Sequence, residues 1–290
     1  MTQILISGAI SGAAAALLAI AFQSVYLPTR VFFVGLAGVY SLAPFVAYAL
    51  IRGGSGWTIA LVTAAAVCVG VSLLSEWVNH APLTRRHASD GAHLVTSLGI
   101  YIVIIQLIAM IWGNETKSLR SGIEFTLTFG NIILTYSQVV AGVVSLVALA
   151  IFYVWLRHSN LGLQFRALAD NPTQLGLLGY NTDRLRWLAF AISGLLASIS
   201  SLLVSYDVGF DPHIGLSSFL LAVVATIIGG RRSFVGPALA SVFLGILRAT
   251  VAWFFSAMWQ DAAVFALLVF FLFLRPQGVF GRRLRLESQS

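Results

Sequence analysis

Apolar runs of membrane-spanning length follow one another along this chain, at about 4–27, 31–51, 56–78, 92–113, 137–156, 187–206, 217–230, 234–256 and 262–274. A helix rises 1.5 Å per residue, so roughly 20 residues cross the roughly 30 Å hydrocarbon core of a bilayer. No water is present there to pair backbone N–H and C=O groups, so each run must satisfy its own, which it does as a helix. The pattern predicts an all-α, polytopic integral membrane protein of eight or nine transmembrane helices, with 1–290 forming a single domain. The run 217–230 is the undecided one. It spans only about 21 Å, ends in Gly229-Gly230, and either crosses or re-enters.

Composition supports lipid as the solvent. Charged residues make up 9% of the chain, against roughly 25% in soluble domains. The net charge of +7 does not imply nucleic acid as a partner, because the basic residues fall between apolar runs and form no continuous patch. The single cysteine, Cys68, sits inside an apolar run, so an intrachain disulfide and a thiolate metal cluster are both excluded. No Lys or Arg precedes the first apolar run. A cleavable signal peptide carries such a positive region, so the first segment reads as retained.

Basic residues collect on the cytoplasmic side of membrane proteins. With nine crossings and 166–186 inside, Arg30, Arg85, Arg86, Arg157, Arg166, Arg184, Arg186, Arg231, Arg232, Arg275, Arg282, Arg283 and Arg285 are all cytoplasmic. Only Arg52, Lys117 and Arg120 are then outside. The expected topology is therefore N-terminus out and C-terminus in. The long external loop 114–136 has room for a short interfacial element.

The stretch RALADNPTQLGLLGYNTDRLR, 166–186, is polar and punctuated between two apolar runs. Asn171 can cap a helix and Pro172 fits its first turn, where the missing N–H needs no partner. Gln174 stands where a capping box has Glu or Gln. Leu175 and Leu178, three apart, are expected to share a face. Gly179 suits a C-terminal cap, and Asn181 begins a second helix. The expected product is a two-turn helix capped at both ends. It either lies amphipathically at the headgroups or serves as a lever for a cytoplasmic partner.

Other polar residues interrupt the spans. Thr96, Ser97, Gly99 and Gln106 share one run; Ser and Thr usually bond the preceding turn, whereas Gln106 needs another helix or a wet cavity. Gly8, Gly12, Gly35 and Gly38 permit close helix approach. Gly229 and Gly230 form either a tight turn or a break lining a path. Arg248 lies within a span and either snorkels past Trp253 or faces a path. Asp207, Asp211 and Asp261 fall at outer ends, solvated or touching a delivery protein, and Glu76 lies near an inner end. Without mid-span acids an ion-coupled transporter is disfavoured. The histidines at 80, 87, 93, 158 and 213 are scattered, with no zinc-protease pair, nucleophile elbow or phosphate loop. An enzyme and a nucleotide site on this chain are therefore not expected.

The stretch RALADNPTQLGLLGYNTDRLRWLAFAISGLLASISSLL (166–203) resembles the cytoplasmic coupling segment of ABC transporter permeases of the branched-chain amino acid type. DPHIGLSSFLLAVVATIIGGRRSFVGPALASVFLGILRA (211–249), FLFLRPQGVFG (271–281) and HLVTSLGIYIVIIQ (93–106) are similar to further motifs of that family in the same order. The region 32–40 lacks the Asn and His common there, and Arg248 stands where an acid is usual. The resemblance implies an importer subunit in a bacterial inner membrane. Its partners would be a homologous second permease, two ABC ATPase subunits and a periplasmic solute-binding protein. ATP and Mg would bind only to partner subunits, and no cofactor to this chain. The implied coupling segment is 157–186, with Arg166, Ala167, Asp170, Asn171, Pro172, Leu175, Gly179 and Asn181 contacting the ATPase. The implied transport pathway includes Gly38, Thr96, Ser97, Gly99, Gln106, Gly229 and Gly230. Branched-chain or other amino acids are the expected solutes. Urea or a short-chain amide is the alternative, and a stand-alone secondary transporter or channel is the rival from another class.

Overall fold

The computed structural model describes residues 1–120, 125–129, 132–230, 233–275 and 278–279. The chain runs α1 (Thr2–Thr29), α2 (Gly35–Arg52), α3 (Trp57–Ser75), a π-helical turn (Glu76–His80), α4 (Ala81–Arg85) and α5 (Asp90–Trp112). A hairpin of β1 (Thr126–Phe129) and β2 (Ile132–Thr135) follows, then α6 (Tyr136–His158), α7 (Asn160–Asp170), α8 (Pro172–Leu177) and α9 (Thr182–Val208). The chain ends with α10 (Ile214–Gly229), α11 (Val235–Phe254), a 3-10 turn (Ala257–Trp259) and α12 (Gln260–Leu274). Among the described residues, eight helical stretches are long and apolar enough to cross a membrane, within the expected eight or nine. The antiparallel hairpin, with Thr126 opposite Thr135, occupies the loop expected to hold an interfacial element. It is the one departure from an all-helical architecture among the described residues, apart from an isolated bridge between Lys117 and Phe210.

Small residues decide which helices reach the centre. α1 is buried from Gly8 through Pro28 along most of its length. A Cβ on Gly12 would lie 2.7 Å from the Val242 backbone, and one on Gly245 would lie 2.4 Å from the Gly8 carbonyl. Helices α1 and α11 thus cross backbone to backbone, in antiparallel sense. Lipid gives apolar helices no hydrophobic reason to associate, so close van der Waals fit and interhelical hydrogen bonds do that work. α9 supplies the bonds. Ser200 donates to the Ala14 carbonyl at 2.7 Å, Ser201 donates to the Tyr40 carbonyl, and the α9 carbonyl of Phe190 accepts from Ser72 at 2.7 Å. A Cβ on Gly194 would come within 2.9 Å of the Cys68 carbonyl, so α3 and α9 are docked along their length.

The helix ends define two poles. At the pole where α1 begins, Gln3 donates to the Ile133 carbonyl, and Trp57 meets Tyr206 edge to face at 5.8 Å. At the other, Gln23 donates to the Ser233 carbonyl at 3.1 Å and Tyr153 donates to the Phe234 carbonyl. α10 is too short to rank with the spanning helices. Its lead-in, Phe210, exchanges two 2.8 Å backbone bonds with Lys117 at the first pole. Its end, Gly229, lies against Gly236 at the second. The chain between Phe210 and Gly229 therefore passes from one pole to the other.

Candidate functional site

The second pole carries the polar stretch. The Ser159 Oγ accepts from the Leu161 N–H and starts α7. Asn171 Oδ1 accepts from the Gln174 N–H at 3.1 Å, with Pro172 in the first turn of α8. At the other end Gly179 has φ +84°. Its N–H donates to the Gly176 carbonyl and the Tyr180 N–H to the Leu175 carbonyl, a Schellman closure that only a residue tolerant of positive φ adopts without strain. Asn181 Oδ1 then accepts from the Arg184 N–H at 3.1 Å and opens α9. The sequence-level capping residues occupy the capping positions.

One expectation fails here. Leu175 and Leu178 do not share a face: Leu175 is buried with Leu168 and Leu185, and Leu178 is 75% exposed. Leu178 is the C-cap, its N–H still bonded to the Gln174 carbonyl, but Leu168 and Leu185 cover only Leu175. Leu175 is thus an anchor and not part of the outer surface. Arg166, Asp170, Asn171, Pro172, Gly179 and Asn181 are exposed, and Ala167 is half-buried against the anchor cluster. The apolar tip consists of Leu177, Leu178 and Tyr180, all exposed. Sequence reasoning passed over Leu177 and Tyr180.

The candidate pathway residues separate into two groups. Thr96, Gly99 and Gln106 fall on one side of α5, at helical spacings of three and seven residues. Gly99 and Gln106 are exposed and Thr96 is half-buried. Gly99 borders a cleft of about 660 Å3 between α2, α3 and α5, whose polar lining is Ser75 and Asn79. Ser97 turns inward and accepts from the Gly35 N–H at 2.9 Å. Gly38 lies under Ile104, 3.0 Å from where its Cβ would be. Gly229 and Gly230 are packed against Gly236 and Gly278, and the Val279 N–H donates to the Ile228 carbonyl at 2.8 Å. These last four positions are helix or turn contacts within this chain. Arg231 and Arg232, like Pro276, Gln277 and the basic residues from 282 onward, lie outside the described residues.

Several charges find partners that their spacing does not announce. Arg248 pairs with Asp261 at 3.1 Å, joining α11 to α12, and the Asp261 side chain remains largely exposed. Asp207 accepts from Ser137 at 2.6 Å. Glu76 is 1% exposed and accepts from Arg186 Nε at 2.8 Å. His80 and His93, unremarkable in the sequence, place their Nδ1 atoms 3.2 Å apart.

Eight long apolar helical stretches among the described residues, with a short polar unit hung from one pole, make a membrane-spanning bundle. Its fold is similar to that of a chain of PsaBC from Streptococcus pneumoniae in complex with Fab, with a TM-score of 0.54, 12% identity, and coverage of 96% of this chain and 93% of that one. Residues 4–274 match the model of the branched-chain amino acid transport system permease component, and the chain belongs to that family. It is 26% identical to the high-affinity branched-chain amino acid transport system permease protein LivH of Escherichia coli (strain K12), covering 97% of this chain and 95% of that protein. It is 25% identical to the corresponding protein BraD of Pseudomonas aeruginosa, with the same coverage. Family and fold together make it a multi-pass membrane subunit of an ABC transporter, and not an enzyme.

Proposed function

We propose that this chain carries branched-chain or other amino acids inward across a bacterial inner membrane. In this reading it pairs with a homologous second permease, a periplasmic solute-binding protein delivers at the pole where α1 begins, and two ABC ATPase subunits dock at the α8 pole. ATP and Mg are handled by those subunits. The observation that carries the reading is the double-capped α8, which holds Leu177, Leu178 and Tyr180 out in solvent at the end of a rigid polar unit. An exposed apolar cluster with a polar rim is what a docking partner buries. Substituting Leu178→Glu places a charge in that contact. The expected result is loss of ATPase co-purification and an uptake rate reduced by about tenfold or more, the effect of removing one interface hot spot. The isolated chain should keep its detergent elution profile. Undiminished co-purification and uptake would refute the docking role.

The distribution of arginines supports a cytoplasmic α8 pole, with the N-terminus out. The pole-to-pole passage between Phe210 and Gly229 supports nine crossings and opposite sides for the two termini. Single cysteines in a Cys68→Ala background read this directly. Leu178→Cys should react with an impermeant maleimide only from the cytoplasmic face, and Lys117→Cys only from outside. The reverse pattern would invert the topology.

A further inference from the structure

Between the α8 unit and α5 lies a buried polar joint that no transport reading so far uses. α3 does not end at Ser75; it continues through the π turn Glu76–His80 into α4. A π turn widens the helix and re-aims side chains, and such turns frequently mark functional positions. Here it faces two ways. Toward α9, Glu76 accepts from Arg186 Nε at 2.8 Å, and Arg186 also donates to Thr84 Oγ1 at 3.1 Å. Arg186 is in the first turns of α9, five residues beyond the Asn181 cap that closes the α8 unit. Toward α5, Asn79 Nδ2 donates to Thr96 Oγ1 at 3.1 Å, and His80 meets His93 ring to ring and Nδ1 to Nδ1.

The rest of α5 is held differently. It rests on α2, with Ile100 and Ile104 over Gly35 and Gly38, and the 660 Å3 cleft opens between it and α3. α3 and α9 are locked by Ser72–Phe190 and by Gly194, so they move as one body. α5 touches the α3 segment itself mainly at the π turn, its other support being α2. Two atoms in the joint, Glu76 Oε2 and His80 Nε2, are buried without a hydrogen-bond partner among the described residues. Two Nδ1 atoms in contact share one proton, so one ring donates and the other accepts. A polar joint left partly unsatisfied is a strain reservoir, whereas a packed apolar contact has no second set of partners to adopt.

We propose that the π turn is the joint through which movement of the α8 unit reaches α5. Arg186 and Glu76 are its input, and Asn79 and His80 are its output. All four are positioning residues, acting on the cleft face of α5 through Thr96 and His93. The inference rests on α8 being the ATPase docking unit, and its test separates the two ideas.

The assay is the complete transporter in proteoliposomes, with uptake of leucine and ATP hydrolysis measured side by side. The variant Asn79→Ala/His93→Ala cuts both output contacts without touching the docking surface. The expected result is normal co-purification of the ATPase subunits and continued hydrolysis, with leucine taken up per ATP reduced by about fivefold or more, the lower end of a typical coupling effect. The milder variant His93→Gln keeps a hydrogen-bonding group toward His80 and restores most of the ratio. An unchanged ratio in the double variant overturns the joint, as does a reduced ratio that His93→Gln fails to raise. Failure of the ATPase subunits to co-purify even with the unaltered chain would instead sink the docking reading.

Discussion

Arg186→Ala destabilises the membrane domain by about 3–5 kcal/mol, the cost of breaking a buried ion pair by removing one partner. The Arg186 side chain is 13% exposed and that of Glu76 is 1% exposed. Without the guanidinium, the buried Glu76 carboxyl loses the cation it is paired with. Glu76 Oε2 already lacks a hydrogen-bond partner among the described residues, so no second contact compensates. The double variant Arg186→Leu/Glu76→Leu removes the orphaned carboxyl and should recover most of the loss, because replacing both partners by apolar groups is often close to neutral. Thermal unfolding of the purified chain in detergent, run as a double-mutant cycle, checks both statements. Equal losses for single and double variants would show that packing of the arginine stem, and not the charge, sets the cost.

Gly245→Val separates α1 from α11 and should leave little folded protein. A Cβ at Gly245 would lie 2.4 Å from the Gly8 carbonyl and 2.5 Å from the Gly12 Cα. Both are backbone atoms, so no side chain can rotate away, and the helices themselves must part. Overpacking of a core usually costs about 1–3 kcal/mol, more where nothing can yield. Here separation also exposes the Ala13–Ile20 portion of α1, which is almost wholly buried. Gly70→Ala on α3 is the control, because nothing lies within 4 Å of its Cβ position. A helical Gly→Ala exchange in open space should stabilise by about 0.5–1 kcal/mol. Expression and monodispersity in detergent distinguish the two. A well-behaved Gly245→Val protein would mean that the α1–α11 crossing tolerates separation.

The capping of α8 and α9 was legible because a cap is local chemistry. Asn171, Pro172, Gly179 and Asn181 each act within a few residues of their own position, so their types and spacing carry the signal. Leu178 was misjudged because an i, i+3 rule read from letters does not know how far the cluster of Leu168 and Leu185 that covers Leu175 extends. Gly38 and Ser97 show the opposite difficulty. Both residue types suit a pathway and a helix contact equally, and only the seating of α5 on α2 distinguishes the two uses. For Glu76 and Arg186 no sequence rule could have paired them: they are 110 residues apart on different helices.

The sequence alone therefore determined the solvent, the helical class, the approximate spans and the capped unit between α7 and α9. Those follow from run length, from the absence of water in the bilayer core and from near-neighbour hydrogen bonding. Which face of each helix is inside was decided by the tertiary structure. In a soluble helix the polar side marks the exterior, but a helix in lipid is apolar all round, so its periodicity carries no such mark. The π-turn joint, the α1–α11 crossing and the pole-to-pole course of the short α10 segment depend on contacts between distant parts of the chain. Only the folded bundle brings those together.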